Sequence, residues 1–347
     1  MPVFRSSTMF ELAQDVKAFL KLEGGITRGT PLGPEQQMEE QRRMIESKDQ
    51  EIARLRVKLL ANGAGTQREG GINPENIVWI FGTARVGSTW LAAMMSDLER
   101  YAMWREPRVG ALFGHYYYQR PRDEDSKDKH FILGLNKEVW LGSIRSFVLD
   151  AANATFSDEE RDGYLVVKEP NGSIGAPLLM EALPESRMIF VVRDPRDVVA
   201  SGLDAAKEGN WAAKVMNNAA LADREPDAFV EERATHYLKF AGNARQAYEA
   251  HKGHKVLVKY EDLKAYTLGV MEHIYSTLRL PFDQEELARV VERRSWENLP
   301  EDKKGEGKFY RKASPGGWRE DLTEQQVEIV ERITAPLLNE FYPARGG

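Results

Sequence analysis

The chain has 347 residues, 42% hydrophobic and 29% charged, with a formal net charge of -6 and no cysteine. That length accommodates one α/β domain of about 250 residues plus an appendage, with a core of its own. The missing cysteine excludes disulfides, thiolate metal ligands and cysteine nucleophiles, and the acidic balance offers nucleic acid or an anionic membrane no overall attraction, so any anion site must be a local cluster of cations.

The first residues carry charges at Arg5, Glu11, Asp15 and Lys17 and lack the apolar stretch of a signal peptide. No window approaches the roughly 18 apolar residues of a membrane span, so the expectation is a soluble, cytoplasmic protein. Residues 35–60 are highly charged and contain neither Gly nor Pro; Met38, Ile45, Ile52 and Leu59 recur every seven residues, but Gln41 and Lys48 interrupt the second row. This predicts a helix with a weak coiled-coil seam, open to two readings: a homo-oligomer contact, or a solvated helix packing one stripe on its own domain. Gly-rich, polar residues follow and read as a linker. The expected division is a helical extension at 1–62, a linker at 63–75 and a domain at 76–345.

From residue 76 short apolar runs alternate with helical patterns: NIVWIFG (76–82), YLVVK (164–168), RMIFVVR (187–193) and HKVLVKY (254–260). Continuous apolar runs of this length between helices predict the buried parallel strands of an α/β sheet flanked by helices.

Between the first run and a predicted helix at 88–95 lies 82-GTARVG-87, with two glycines separated by four residues as in the phosphate-binding pattern G-x-x-x-x-G-K-[ST]. Backbone N–H groups in such a loop and the following helix N-terminus form a nest for a tetrahedral anion. Ser88 stands where the nucleoside-triphosphate binders have lysine, and the cation within the loop is Arg85. An ordinary strand-to-helix turn capped by Ser88 or Thr89 is the other reading of this stretch.

A second run, 187-RMIFVVRDPRDVVASGLDA-205, is a buried strand ending at Arg193 and followed by a helix at 196–206 that carries Ser201 eight residues on. Arg193 with Ser201 suits a phosphate monoester; an arginine paired with Asp194 or Asp197 is the alternative. A third run, 308-KFYRKASPGGWREDLT-323, gathers Lys308, Arg311, Lys312 and Arg319 around a Gly-Gly turn beside Trp318. Four cations there suit an anionic partner or a solvated loop.

Taken together, the three runs resemble the sulfotransferases that use 3′-phosphoadenosine 5′-phosphosulfate (PAPS), over roughly residues 76–325. Arg85, Gly87, Ser88, Thr89 and Trp90 are similar to that family's 5′-phosphosulfate loop, with Ala84 in place of its proline, and Arg193 and Ser201 are similar to its 3′-phosphate pair. The segment 309-FYRKASPGGW-318 resembles the loop that closes on the 3′-phosphate, with Ala313 replacing a glycine, and 259-KYEDL-263 fits the family's strand ending. The resemblance implies a P-loop-like parallel sheet, PAPS as co-substrate without a required metal, Trp90 stacked on the adenine, and Arg311 and Lys312 on the 3′-phosphate. The six histidines show no metal-ligand spacing.

In the cytosolic branch the base is a histidine two residues after a strand-end lysine; the corresponding stretch here, 168-KEPNG-172, has Pro170 in its place. The tyrosylprotein branch pairs a loop arginine with a glutamate at the end of the next strand, and Glu106 lies 21 residues after Arg85, a similar spacing. Glu106 is therefore the expected base, Arg85 the cation on the phosphosulfate and Lys168 the stabiliser of the sulfuryl or leaving phosphate, with Glu169 and His115 as reserve bases. Pairing of Glu106 with Arg105 or Arg108 is the alternative. Two rival functions stay open here, a nucleotide or sugar kinase using ATP and Mg²⁺ and a non-catalytic nucleotide-binding module that assembles through 35–60. The acceptor is expected to be a hydroxyl of a small molecule, carbohydrate or lipid, facing residues 111–160 and 204–235, where 115-HYYYQR-120 and 211-WAAK-214 offer aromatic rings.

Overall fold

Five consecutive apolar residues form β1 (Ile77–Phe81), and all five are fully buried. Burial of adjacent residues means that both faces of the strand are covered, as a parallel sheet between helices requires. β1 pairs in parallel with β3 (Tyr164–Lys168), Ile80 opposite Lys168, and on its other side with β4 (Arg187–Val192), Phe81 opposite Phe190. β2 (Tyr101–Arg105) adds outside β3 and β5 (Lys255–Lys259) outside β4, giving the order β2-β3-β1-β4-β5. The computed structural model describes residues 43, 44, 48, 71–119, 133, 134, 136–206, 225–298, 300, 304, 305 and 314–343. Contacts divide the chain into two units, 1–56 and 57–347, and the sheet belongs to the second.

The helices are α1 (Ser88–Ser96), α2 (Val109–Gln119), α3 (Lys137–Thr155), α4 (Asp158–Arg161), α5 (Ala176–Ala182), α6 (Pro195–Ala206), α7 (Pro226–Ala250), α8 (Tyr260–Ala265), α9 (Thr267–Thr277), α10 (Gln284–Arg293), α11 (Trp318–Asp321) and α12 (Glu324–Phe341). A 3-10 turn, Pro170–Gly175, separates β3 from α5. Thus the four strands expected from apolar runs are all in the sheet. β2 lacks that signature, because it is an edge strand whose middle residues are half-buried and whose last residue is exposed. No described helix is long and apolar enough to cross a membrane. The 35–60 segment, apart from the helical and exposed Arg43, Met44 and Lys48, lies outside the described residues, as do most of the 63–75 linker, 211–214, Lys308, Arg311 and Lys312.

Parallel strands all end at one edge, so Gly82, Glu106, Glu169 and Arg193, each the residue after its strand, gather there. After β1 the chain builds β2 and β3 on one side; β4 and β5 lie on the other. The reversal falls between β1 and β4, and the crevice outside the carboxyl ends at such a point is where open α/β sheets bind ligands.

Two glycines shape the loop between β1 and α1. Gly82 has φ 157°, and a Cβ there would lie 2.5 Å from Val191 O; Gly87 has φ 88°, and its Cβ would lie 2.5 Å from Tyr260 Cδ2. Gly87→Ala is expected to destabilise the protein by about 1–3 kcal/mol, from the ring clash and the left-handed backbone together. Chemical denaturation checks this; an unchanged midpoint would mean that the Tyr260 ring moves aside freely.

Candidate active site

Residues 82–87 turn from a buried strand into α1, and Gly87 caps the helix without any side-chain hydrogen bond. The first N–H groups of α1 therefore lack a side-chain cap, unlike the ordinary turn capped by Ser88 or Thr89 that was the other reading of this stretch, and they carry the positive end of the helix dipole. Ser88 is buried, and Thr83 Oγ1 is buried without a hydrogen-bond partner. Ser173 Oγ accepts from Gly82 N at 3.0 Å and so ties the start of the loop to the 3-10 turn after β3. This stretch is thus a glycine turn leading into an uncapped helix N-terminus.

Beside it, at the ends of β2 and β3, sits an ion pair. Lys168 Nζ bonds Glu106 Oε1 and also donates to Thr89 Oγ1 at 3.1 Å, so it bridges the carboxylate and the start of α1. Asn171 Nδ2 donates to Glu106 Oε2 at 2.7 Å. The backbone reinforces the pairing: Glu106 N donates to Lys168 O at 2.8 Å, extending the β2–β3 ladder by one residue. Burial pushes the Glu106 pKa up, but the hydrogen bond and charge of Lys168, the Asn171 bond and the charge of Arg108 outweigh it and hold the carboxyl below its ordinary range. Glu106 is thus ionised at neutral pH. Its cation is Lys168 rather than the Arg105 or Arg108 that the sequence offered as partners.

On the other side of β1, Arg193 follows β4 and Ser201 lies in α6, both buried. The Arg193 guanidinium stacks on the Tyr260 ring, 4.3 Å from its centroid, and Nη1 donates to Arg85 O at 3.1 Å, while Nε is buried without a partner. Asp197 is 4.0 Å from Nη2, the outer limit of an ion pair, and Asp194 is taken by Arg196 at 2.7 Å. Neither aspartate therefore neutralises Arg193 closely. Ser201 Oγ accepts from Arg85 Nε at 3.0 Å, so the loop arginine joins this cluster, and the hydroxyl meets the guanidinium of Arg85 where the sequence suggested that of Arg193.

The two aspartates do structural work that composition could not reveal. Asp197, almost fully buried, accepts from Gly316 N at 2.7 Å and Trp318 N at 3.1 Å, so it binds the Gly-Gly turn of the third run to the helix of the second. The guanidinium carbons of Arg196 and Arg319 lie 4.3 and 4.4 Å from the Trp318 ring centroid. Glu261, within KYED, accepts from Asp194 N at 3.1 Å and from Tyr342 Oη at 2.8 Å, and so pins the end of β4. Two signals were available beforehand: Asp197 is an acidic residue in the first turn of a helix beside an arginine-rich run, and Tyr260 and Glu261 sit in the motif that closes β5.

The remaining expected residues are spread more widely. Trp90 is half-buried, its Nε1 donating to Arg294 O at 2.8 Å, with Lys264 Nζ 5.9 Å from its ring centroid. Glu169 is fully buried, and both its oxygens accept backbone N–H groups, Arg108 N at 3.0 Å and Gly110 N at 3.1 Å, so as a reserve base it has no face toward an acceptor. His115 is exposed on α2, in its second turn. Tyr116 and Tyr118 are also exposed there, whereas Tyr117 is buried against Trp140. Among the described residues no group of three or more His, Asp or Glu could hold a metal ion.

A parallel α/β sheet with an uncapped glycine loop at its reversal point defines a P-loop-like fold, with one Lys–Glu pair beside that loop and an arginine cluster across from it. The chain belongs to the sulfotransferase family: residues 75–342 match the model of the sulfotransferase domain. Its general activity is accordingly sulfuryl transfer. Solved structures similar to it include mouse sulfotransferase SULT7A1 complexed with PAP, at 13% identity over 80% of this chain and 91% of that one with a TM-score of 0.49. Sulfotransferase STF9 from Mycobacterium avium is similar at 17% identity over 79% of each chain, TM-score 0.47. Sulfotransferase STF1 from Mycobacterium tuberculosis H37Rv is similar at 18% identity over 80% of this chain and 82% of that one, TM-score 0.43. Comparison with curated proteins gave no match.

Proposed function

We propose that this chain moves the sulfuryl group of PAPS to an acceptor hydroxyl, with Glu106 as general base. The observation that carries the reading is the bridge formed by Lys168, which touches Glu106 on one side and Thr89, at the start of the anion nest, on the other. A base, a cation and a nest in contact are the parts that an in-line displacement needs.

The residues present fit the co-substrate. Arg193 has a buried, unpartnered Nε and an ion-pair carboxylate, Asp197, only at 4.0 Å, which suits a 3′-phosphate, and the uncapped N-terminus of α1 suits the 5′ end. Gly87, with a left-handed backbone and the Tyr260 ring where its Cβ would lie, lets the loop turn tightly into α1. Arg85, Gly87, Ser88 and Thr89 are assigned to the phosphosulfate, Trp90 to the adenine, and Arg193 with Ser201, Arg311 and Lys312 to the 3′-phosphate. Because Arg85 bonds Ser201, its guanidinium lies on the 3′-phosphate side and its reach to the phosphosulfate needs that bond to exchange.

When bound, PAPS supplies an activated sulfuryl group, whose bond to the 5′-phosphate breaks as the acceptor oxygen bonds sulfur. Glu106 takes the acceptor proton at a carboxylate oxygen. Its lowered pKa makes it a weak base, so the proton moves only as the hydroxyl gives up its electrons, and the transfer becomes easier when Lys168 turns from Glu106 to the charge developing on the leaving phosphate. Thr89 and Asn171 hold the two partners in register until then. The exposed Tyr116 and Tyr118 on α2, the helix that begins three residues after Glu106, offer rings to a small-molecule, carbohydrate or lipid acceptor.

Thermal unfolding tests the nucleotide. 3′-Phosphoadenosine 5′-phosphate (PAP) at 100 times its dissociation constant is expected to add about 2.7 kcal/mol, and ADP, or ATP with Mg²⁺, much less. Stabilisation by ATP and Mg²⁺ alone would overturn the reading in favour of a kinase. Stabilisation by PAP with no sulfuryl transfer to any hydroxyl would leave a nucleotide-binding module.

A further inference from the structure

The 106–110 turn is held in an unfavourable backbone conformation. Glu106 has φ 49° and Arg108 φ 59°, both in the left-handed region and neither glycine. Something must over-determine that shape. The buried Glu169 lies against it, Oε2 accepting from Arg108 N and Oε1 from Gly110 N, so the carboxylate closes a ring around the start of α2. The surroundings are cut to admit it: a Cβ on Gly172 would lie 1.9 Å from Glu169 Oε1, and one on Gly110 would lie 2.1 Å from Gly172 O. Glu169 N in turn donates to Ile80 O at 3.0 Å, anchoring the carboxylate to β1, the strand that leads into the nest.

The segment 168–172 therefore grips the turn at two levels. Lys168 and Asn171 take the Glu106 side chain, and Glu169, between them, takes the backbone that carries it. We propose that Glu169 is a positioning residue, which fixes the 106–110 turn through two backbone N–H bonds and so aims Glu106 at the acceptor. This rests on the reading of Glu106 as base. Two N–H donors facing two oxygens fit an ionised carboxylate, which only accepts; the protonated form brings a donor that the two N–H groups cannot use. Burial pushes the Glu169 pKa up to about 7 against those bonds, with the Glu106 charge adding to the rise and the Arg108 charge opposing it. The ionised, gripping form is lost as pH falls through that value.

Glu169→Gln separates the possibilities, because its amide keeps the volume but turns an NH₂ toward one of the donors. Hydrogen exchange is read on the 106–112 amides, with kcat, KM for PAPS and PAP affinity alongside. The expected result is exchange faster by about tenfold or more confined to that peptide, kcat lower by about 10²-fold, and KM and PAP affinity within about twofold. The acid limb of kcat near pH 7 disappears with the substitution. Glu169→Asp, which retains both acceptor oxygens, recovers part of the protection and of kcat. Unchanged exchange in Glu169→Gln overturns the proposal, and so does loss of PAP binding, because the disturbance then extends beyond the turn. If the wild-type chain transfers no sulfuryl group, the functional reading fails by itself while the exchange measurement still decides what Glu169 does.

Discussion

Glu106→Gln is expected to lower kcat by about 10²- to 10⁴-fold, the contribution of a positioned general base, while PAP still binds. Glutamine preserves the volume and offers an oxygen to Lys168 or Asn171, so the nest and the Arg193 cluster keep their shape. What disappears is an acceptor for the hydroxyl proton. The substitution also leaves the buried Lys168 ammonium without its carboxylate, and that strand end is expected to lose stability, which a melting curve reports separately from turnover. Glu106 itself should add no limb to the kcat profile near neutral pH, because Lys168, Asn171 and Arg108 keep its carboxyl ionised there. A variant retaining kcat within about tenfold, roughly 1.4 kcal/mol, would remove Glu106 from the role of base.

Arg193→Ala is expected to weaken PAP binding by about 10- to 150-fold, the 1.5–3 kcal/mol of a charge-assisted hydrogen bond. ADP, which has no 3′-phosphate, should bind as before. Calorimetric titration with the two nucleotides gives the comparison directly. Arg193 also holds Arg85 O and stacks on Tyr260, whose ring fills the space beside Gly87. An equal loss for both nucleotides would therefore assign Arg193 to the support of the loop, and Ser201 with Arg85 would become the 3′-phosphate candidates.

The legible and illegible parts of this site separate by the kind of interaction involved. β1, β3 and β4 were visible as apolar runs because central strands are covered on both faces, and β5, at the other edge, because its alternate residues Val256 and Val258 are buried. β2 was not, since an edge strand shows half-buried positions; it was reached only through the spacing from Arg85 to Glu106. The Gly82–Gly87 loop was visible because its two ends have no room for a Cβ and so carry glycine. The functional roles of Glu106, Lys168 and Arg193 were argued from resemblance, and the experiments above decide them. The Arg85–Ser201 bond, the hold of Asp197 on Gly316 and Trp318, and the buried seat of Glu169 had no local signature at all. Each joins residues that are 59 or more apart in the chain.

By itself the sequence determined four of the five strands, the glycine loop and the kind of charge at their ends, since these follow from local burial, backbone freedom and residue type. Only the tertiary structure decided which charges meet. The order β2-β3-β1-β4-β5 sets Glu106 beside Lys168 and Arg193 beside the loop of Arg85, because parallel strands bring their carboxyl ends to one edge and lateral order chooses the neighbours. A pKa or an ion pair depends on those distances across the sheet, and so Glu106 is ionised and Glu169 buried for reasons that no run of adjacent residues contains.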